Sequence, residues 1–161
     1  MNKSAPVFDP VSRPAHYNLH ASGVECIEIV EWFPACLANA WKYLHRKDLK
    51  DKPLQDLQKS SWYVRREILR RGKLARQKVA LDFFCPSNLE KKVARFLRHE
   101  SGPRRDLFAH LWTAATHPQD LGNLKMAQRI LEQITAQEIN TTQELTAQHA
   151  KLRAQGLSPE A

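Results

Sequence analysis

Apolar residues recur along this chain with the period of a helix, and polar residues share the opposite faces. Val24, Ile27 and Val30, with Ile29 and Phe33, make one apolar face, so the spacing predicts a helix from about residue 24 until Pro34. Leu37, Ala40, Trp41 and Leu44 predict a second, from about 35 to 47. After the charged turn KDLKDK, Pro53 suits the first position of a third, which carries Leu57, Tyr63, Val64, Ile68 and Leu69. That helix ends at Gly72 or continues past it toward Phe84.

CPSN (85–88) breaks the pattern, and Ser87 or Asn88 is placed to cap a helix holding Leu89, Val93, Phe96 and Leu97. SGP (101–103) breaks it again, before a face of Leu107, Phe108, Leu111, Trp112 and Ala115. A loop at 117–123 leads to a Gln-, Ala-, Thr- and Glu-rich tail with Ile130, Leu131, Ile134 and Ile139 at helical spacing. No stretch alternates with a period of two. The expected class is all-α: a small helical bundle with a helical C-terminal extension. Residues 1–12, with Pro6 and Pro10, read as a flexible arm, 13–84 as the core domain and 85–161 as the extension. In this reading RPAHYN (13–18) is a proline-tethered loop.

The polar faces ask what they meet. Asn39, Lys42, Tyr43 and Arg46 fall at i, i+3, i+4 and i+7 and share one face of the second helix. Glu25 and Glu28 share a face of the first, and Asp56, Lys59 and Tyr63 share one on the third. Three helices that each bring a mixed acidic, basic and aromatic stripe are expected where a site forms between the helices of a bundle. Arg46 has the planar fork for phosphate, Lys42 a mobile charge, Tyr43 a ring for stacking. Glu25 and Glu28 are placed to hold Mg²⁺. His16 and Tyr17 precede the first helix, and a loop histidine there suits phosphate binding or proton transfer. No Ser–His–Asp order and no reactive Cys–His pair stands out.

Composition narrows the chemistry. The five glycines, at 23, 72, 102, 122 and 156, are far too dispersed for a P-loop or a dinucleotide fingerprint, so phosphate handling falls to side chains. The net charge is +8, and it is uneven: Lys42 to Arg105 holds 19 Lys/Arg against 7 Asp/Glu, a balance of +12 that leaves −4 for the rest. A basic middle attracts polyanions. Arg66, Arg70 and Lys73 align on the third helix, the arrangement expected of a phosphate-tracking ridge, although no aromatic residue is interleaved with them in this reading. Three widely spaced cysteines (Cys26, Cys36, Cys85) read as buried structural thiols in a reducing compartment. No apolar run reaches 18 residues and the first residues lack a secretory apolar region, so the expected location is the cytoplasm, without membrane.

RPAHYN, GVECIEIVEWF, NAWKYLHR and PLQDLQKSSWYVRREI occur in that order. The series resembles a small phage-encoded domain with the pattern PxHY, GxExI(E/D), NxxKYxxR and DLxKAxxY, over about residues 13–70. One branch of that family is a nucleotide kinase that lacks a P-loop and phosphorylates dTMP and dGMP. The resemblance implies a phage or prophage nucleotide-binding protein, with a nucleoside triphosphate as phosphate donor and Mg²⁺. It implies catalytic roles for Lys42, Arg46, Lys59 and His16, and substrate contacts for Tyr17, Asn39, Tyr43, Lys50 and Tyr63. The implied metal ligands are Glu25, Glu28 and Asp56. Where the family reads A-G-K-K after the arginine, this chain has KDLK (47–50): the glycine is absent, Asp48 stands about there, and Lys50 retains a charge.

Two other functions fit the residues. One is a non-enzymatic accessory protein that contacts nucleic acid or a host protein through Arg66, Arg70 and Lys73. The other, of lower rank, is a helical pyrophosphohydrolase, for which Glu25-x-x-Glu28 is half of the usual acidic motif. The apolar stripe on the tail adds an expectation of homo-oligomerisation.

Overall fold

The computed structural model describes residues 14–49, 51–78, 81–155 and 158. The arm expected at 1–12 lies outside them. The elements are α1 (Ala15–Asn18), α2 (Ile27–Val30), α3 (Ala35–His45), a 3₁₀ turn (Lys47–Leu49), α4 (Pro53–Arg76), α5 (Leu89–Leu97), α6 (Gly102–Thr116) and α7 (Gly122–Ala154). Among the described residues there is no strand, and the class is all-α as the periodicity implies. No helix among them is long and apolar enough to cross a membrane.

Two boundaries differ from the reading of the sequence. The stretch read as a loop contains the helical turn α1, whose last residue, Asn18, donates its side-chain N–H to the Pro14 carbonyl (2.9 Å). The first expected helix shrinks to α2, because Gly23 (φ +67°) turns the chain and Val24–Cys26 run irregularly into it. Pro53 opens α4 as expected, and the helix continues through Gly72 to Arg76.

α4 lies between α3 and α7, and α6 packs on α7. Small polar residues let α4 approach both neighbours. Ser60 donates its hydroxyl to the Ala40 carbonyl of α3 (2.9 Å), and Gln128 of α7 donates to Ser61 (2.9 Å). The core is one cluster to which residues on both sides of Cys85 contribute. Trp41, fully buried on the apolar face of α3, has its ring 4.5 Å from Phe108 of α6 and 5.3 Å from Phe96 of α5. α7 keeps Leu124, Ala127, Ile130 and Leu131 in this core, and every residue from 140 to 151 is exposed.

Gly23 adopts a backbone conformation that side chains rarely take, and a Cβ there would meet the Arg95 guanidinium at 3.3 Å. Gly23→Ala should therefore lower stability by about 1–2 kcal/mol, measured by urea unfolding.

Of the three thiols, only Cys26 is buried, and burial pushes its pKa up to about 12. Cys36 is half-buried and Cys85 exposed, which corrects the expectation of three core cysteines.

Candidate functional site

Helical geometry brings the polar stripes of α3 and α4 side by side. Tyr43 is their centre: the Lys42 ammonium lies 5.0 Å, the Arg46 guanidinium 4.6 Å and the Lys59 ammonium 5.4 Å from its ring centroid. The Tyr43 and Tyr63 rings stack at 5.9 Å, so Lys42, Tyr43 and Arg46 of α3 and Lys59 and Tyr63 of α4 meet as one group. Cations close to an aromatic ring are held partly by its quadrupole.

The three cations are not equivalent. Arg46 is committed: its Nε and Nη2 donate to the two oxygens of Asp56 (2.8 and 2.9 Å), and its Nη1 donates to the Tyr17 hydroxyl (3.0 Å). Asp56 is 2% exposed. The Asp56 carboxylate, then Tyr17, holds the guanidinium firmly charged against the effect of burial. Lys42 donates to Asn39 Oδ1 (2.8 Å) and Lys59 to Gln55 Oε1 (3.1 Å), both neutral acceptors. Among the described residues neither lysine pairs with a carboxylate. Burial, and then the neighbouring Arg46, lower the Lys42 pKa, so an anion placed here is electrostatically favoured.

Two depressions flank this group. One, about 230 Å³, is walled by Tyr17, Asn18, Cys26, Ile27 and Val30 and bordered by Glu25 and Lys42. The other, about 400 Å³, is lined by Arg46, Asp51, Lys52, Gln55, Asp56 and Lys59. The first is largely apolar and the second cationic and polar, with Lys42 and Arg46 between them.

The expected metal ligands are placed differently. Glu28 Oε1 pairs with Lys92 of α5 (2.8 Å), and Oε2 accepts the Glu25 backbone N–H (2.9 Å). Lys92 holds the Glu28 pKa below its ordinary value. Asp56 already takes two donors from Arg46. No group of three metal-ligating side chains forms among the described residues. Glu25, Glu28 and Asp56 as arranged do not fit a protein-held Mg²⁺. Asn39 is turned along its own helix, donating to the Ala35 carbonyl (2.9 Å). Asp48 pairs with Arg104 (2.5 Å) and Lys47 (2.6 Å). The His16 side chain and Lys50 lie outside what the structure describes.

Sequence reading missed His20. The Ser22 backbone N–H donates to His20 Nδ1 (3.2 Å), so Nδ1 is the acceptor and accepts the Ser22 hydroxyl as well (2.7 Å). Nε2 then donates to Glu100 (3.0 Å). The order Ser–His–Glu is that of a hydrolytic triad, yet Ser22 is 1% exposed and its oxygen accepts the Val24 N–H (3.1 Å). The chain of bonds ties the 20–24 turn, which precedes the apolar depression, to Glu100 just before α6. Only the i, i+2 pair His20/Ser22 hints at it in the sequence; Glu100 is 80 residues away.

No curated protein and no solved structure shows significant similarity to the chain. Residues 11–65, about a third of its length, match DUF3310, a family of proteins of unknown function, and that segment contains Tyr17, Lys42, Tyr43, Arg46, Asp56, Lys59 and Tyr63 and ends one residue before Arg66.

Proposed function

We propose that the protein binds nucleotides between α1–α2, α3 and α4 and transfers the terminal phosphoryl group of a nucleoside triphosphate, which leaves as the diphosphate, to a nucleoside monophosphate of the dTMP or dGMP type. The observation that carries this reading is the Lys42–Arg46–Lys59 group around Tyr43, with both lysines bonded to neutral amides and an apolar depression beside Lys42. The lysines take phosphate oxygens, and Arg46 adds the N–H groups that Asp56 and Tyr17 leave free. Tyr17, Ile27 and Val30 receive base and sugar. Phosphoryl transfer depends mainly on position and charge neutralisation, which this group supplies. The reaction type comes from the resemblance to the P-loop-less phage kinases. A Mg²⁺ in this scheme arrives on the triphosphate, since the carboxylates are occupied.

The test is a thermal-shift series with dTMP and dGMP, with and without ATP and Mg²⁺, followed by transfer of labelled phosphate. A nucleotide at 100 times its Kd adds about 2.7 kcal/mol, which for a chain of this size raises Tm by roughly 5–10 °C. Lys42→Ala and Lys59→Ala should each weaken binding about 10-fold or more, as expected for a lost charged hydrogen bond, with the helical circular dichroism signal unchanged. Wild-type affinity in both variants, or no nucleotide shift at all, rejects the site.

A further inference from the structure

The exposed surface of α4 is charged with one sign. Between Leu57 and Lys78 the helix region carries Lys59, Arg65, Arg66, Arg70, Arg71, Lys73, Arg76 and Lys78, and its one carboxylate, Glu67, is fully buried. Lys59, Tyr63, Arg66, Arg70 and Lys73 follow one another at i, i+4, i+7, i+11 and i+14 and so share a face, about 21 Å long at 1.5 Å per residue. Arg66, Leu69, Arg70 and Lys73 line a groove of about 440 Å³.

Aromatic and apolar groups border this face, which the helical spacing of the arginines alone does not reveal. Trp62 is 52% exposed, and the Arg66 guanidinium lies over its ring (5.5 Å). Leu69 is 68% exposed. Trp62 packs edge-on against Tyr63 (4.8 Å), and Tyr63 stacks on Tyr43, so an aromatic row runs from the cation cluster toward Arg66 and the groove. An exposed indole under a guanidinium, beside a line of cations, is what single-stranded nucleic acid recognises: bases stack while the backbone follows the charge.

We propose that the Lys59–Lys73 face of α4, with Trp62, binds single-stranded nucleic acid. Charge complementarity selects a polyanion, and the exposed Trp62 selects unpaired bases over a duplex, whose bases are already stacked. The surface goes beyond the nucleotide site and shares with it only Lys59 and Tyr63.

The experiment is fluorescence anisotropy of the full chain with a labelled oligothymidylate of about 12 nucleotides. Arg70 is already paired with Glu67 (2.8 and 2.6 Å). If Lys59, Arg66 and Lys73 each neutralise a phosphate, affinity should fall about 20-fold between roughly 50 and 200 mM salt. Arg66→Ala/Lys73→Ala should reduce that dependence to roughly threefold. Trp62→Ala should weaken binding roughly 5- to 100-fold at fixed salt. All three changes are on exposed side chains, and unchanged circular dichroism checks the fold. The inference falls if these variants bind as wild type, if a hairpin duplex of equal length binds as tightly, or if polyglutamate competes as well as the oligonucleotide. Binding of dTMP is measured on the same variants. Retained dTMP affinity with lost oligonucleotide affinity separates this surface from the nucleotide site. A wild-type chain that binds the oligonucleotide through Trp62 but not dTMP rejects the nucleotide proposal alone.

Discussion

Glu67→Ala is expected to destabilise the protein by about 3–5 kcal/mol, a large part of the 5–15 kcal/mol typical of a domain. Glu67 is fully buried and accepts three bonds from within α4: Arg70 donates Nε and Nη2 (2.8 and 2.6 Å), and Arg71 donates Nε (2.8 Å). Arg71, itself 2% exposed, donates Nη1 to the Ala114 and Pro118 carbonyls (2.8 and 3.1 Å). Ala114 lies in the last turn of α6 and Pro118 just past its end, where no further helical turn supplies donors. Removing Glu67 leaves the Arg71 cation buried without its counter-charge and loosens the cap on α6. The double change Glu67→Leu/Arg71→Met should recover part of the loss, since no charge is then stranded, while the two carbonyls remain without donors.

The pH dependence has a definite sign. Burial alone would raise the Glu67 pKa, but the bonds from Arg70 and Arg71 outweigh it, and the folded value lies below the ordinary 4.5. A lowered carboxylate pKa contributes stability that is present above the unfolded value and lost as pH falls through the folded value. The stability gap between wild type and Glu67→Gln should therefore be full at neutral pH and shrink below about pH 4.5. Urea midpoints at both pH values measure it, and a gap that stays constant or widens in acid contradicts the assignment.

Glu67 illustrates what a sequence can show. Its neighbours Arg70 and Arg71 are visible at i+3 and i+4, but the sequence gives equal weight to a solvated basic run. Burial decides, and it depends on elements distant in the chain: α3 and α7 pack on α4, and Arg71 reaches Ala114 and Pro118, more than 40 residues away. The same holds for the site. Helical spacing put Lys42, Tyr43 and Arg46 on one face and Asp56, Lys59 and Tyr63 on another, because within a helix period fixes direction. That the two faces meet around Tyr43 depends on α3 packing on α4 through Ser60. The partners of Glu28 and Asp48, Lys92 and Arg104, are likewise distant in the chain, so carboxylates that looked available are paired. The break at Cys85 is real in local structure. The core nevertheless runs across it, since Phe96 and Phe108 fill the space around Trp41 and no spacing rule reports that contact.

Asp56→Asn should produce two effects of opposite sign. Stability should fall by roughly 2 kcal/mol, because a buried charge-assisted pair with Arg46 becomes a weaker neutral-acceptor bond. Affinity for dTMP should rise about five- to tenfold. Asp56 is the carboxylate that neutralises the cation cluster, and removing one negative charge a few ångströms from a bound phosphate is worth on the order of 1 kcal/mol at a partly exposed site. The alternative role for Asp56, as a ligand of catalytic Mg²⁺, predicts the reverse: weaker binding of ATP–Mg²⁺ and no gain for dTMP alone. Titrating both ligands against wild type and Asp56→Asn, with Tm recorded on the same samples, separates the two. Arg46→Ala completes the set. It should lower stability by about 3 kcal/mol, by stranding Asp56, and also lower dTMP affinity. A loss of activity in Arg46→Ala therefore says little about catalysis unless it is compared with Lys42→Ala and Lys59→Ala, whose side chains hold no buried partner.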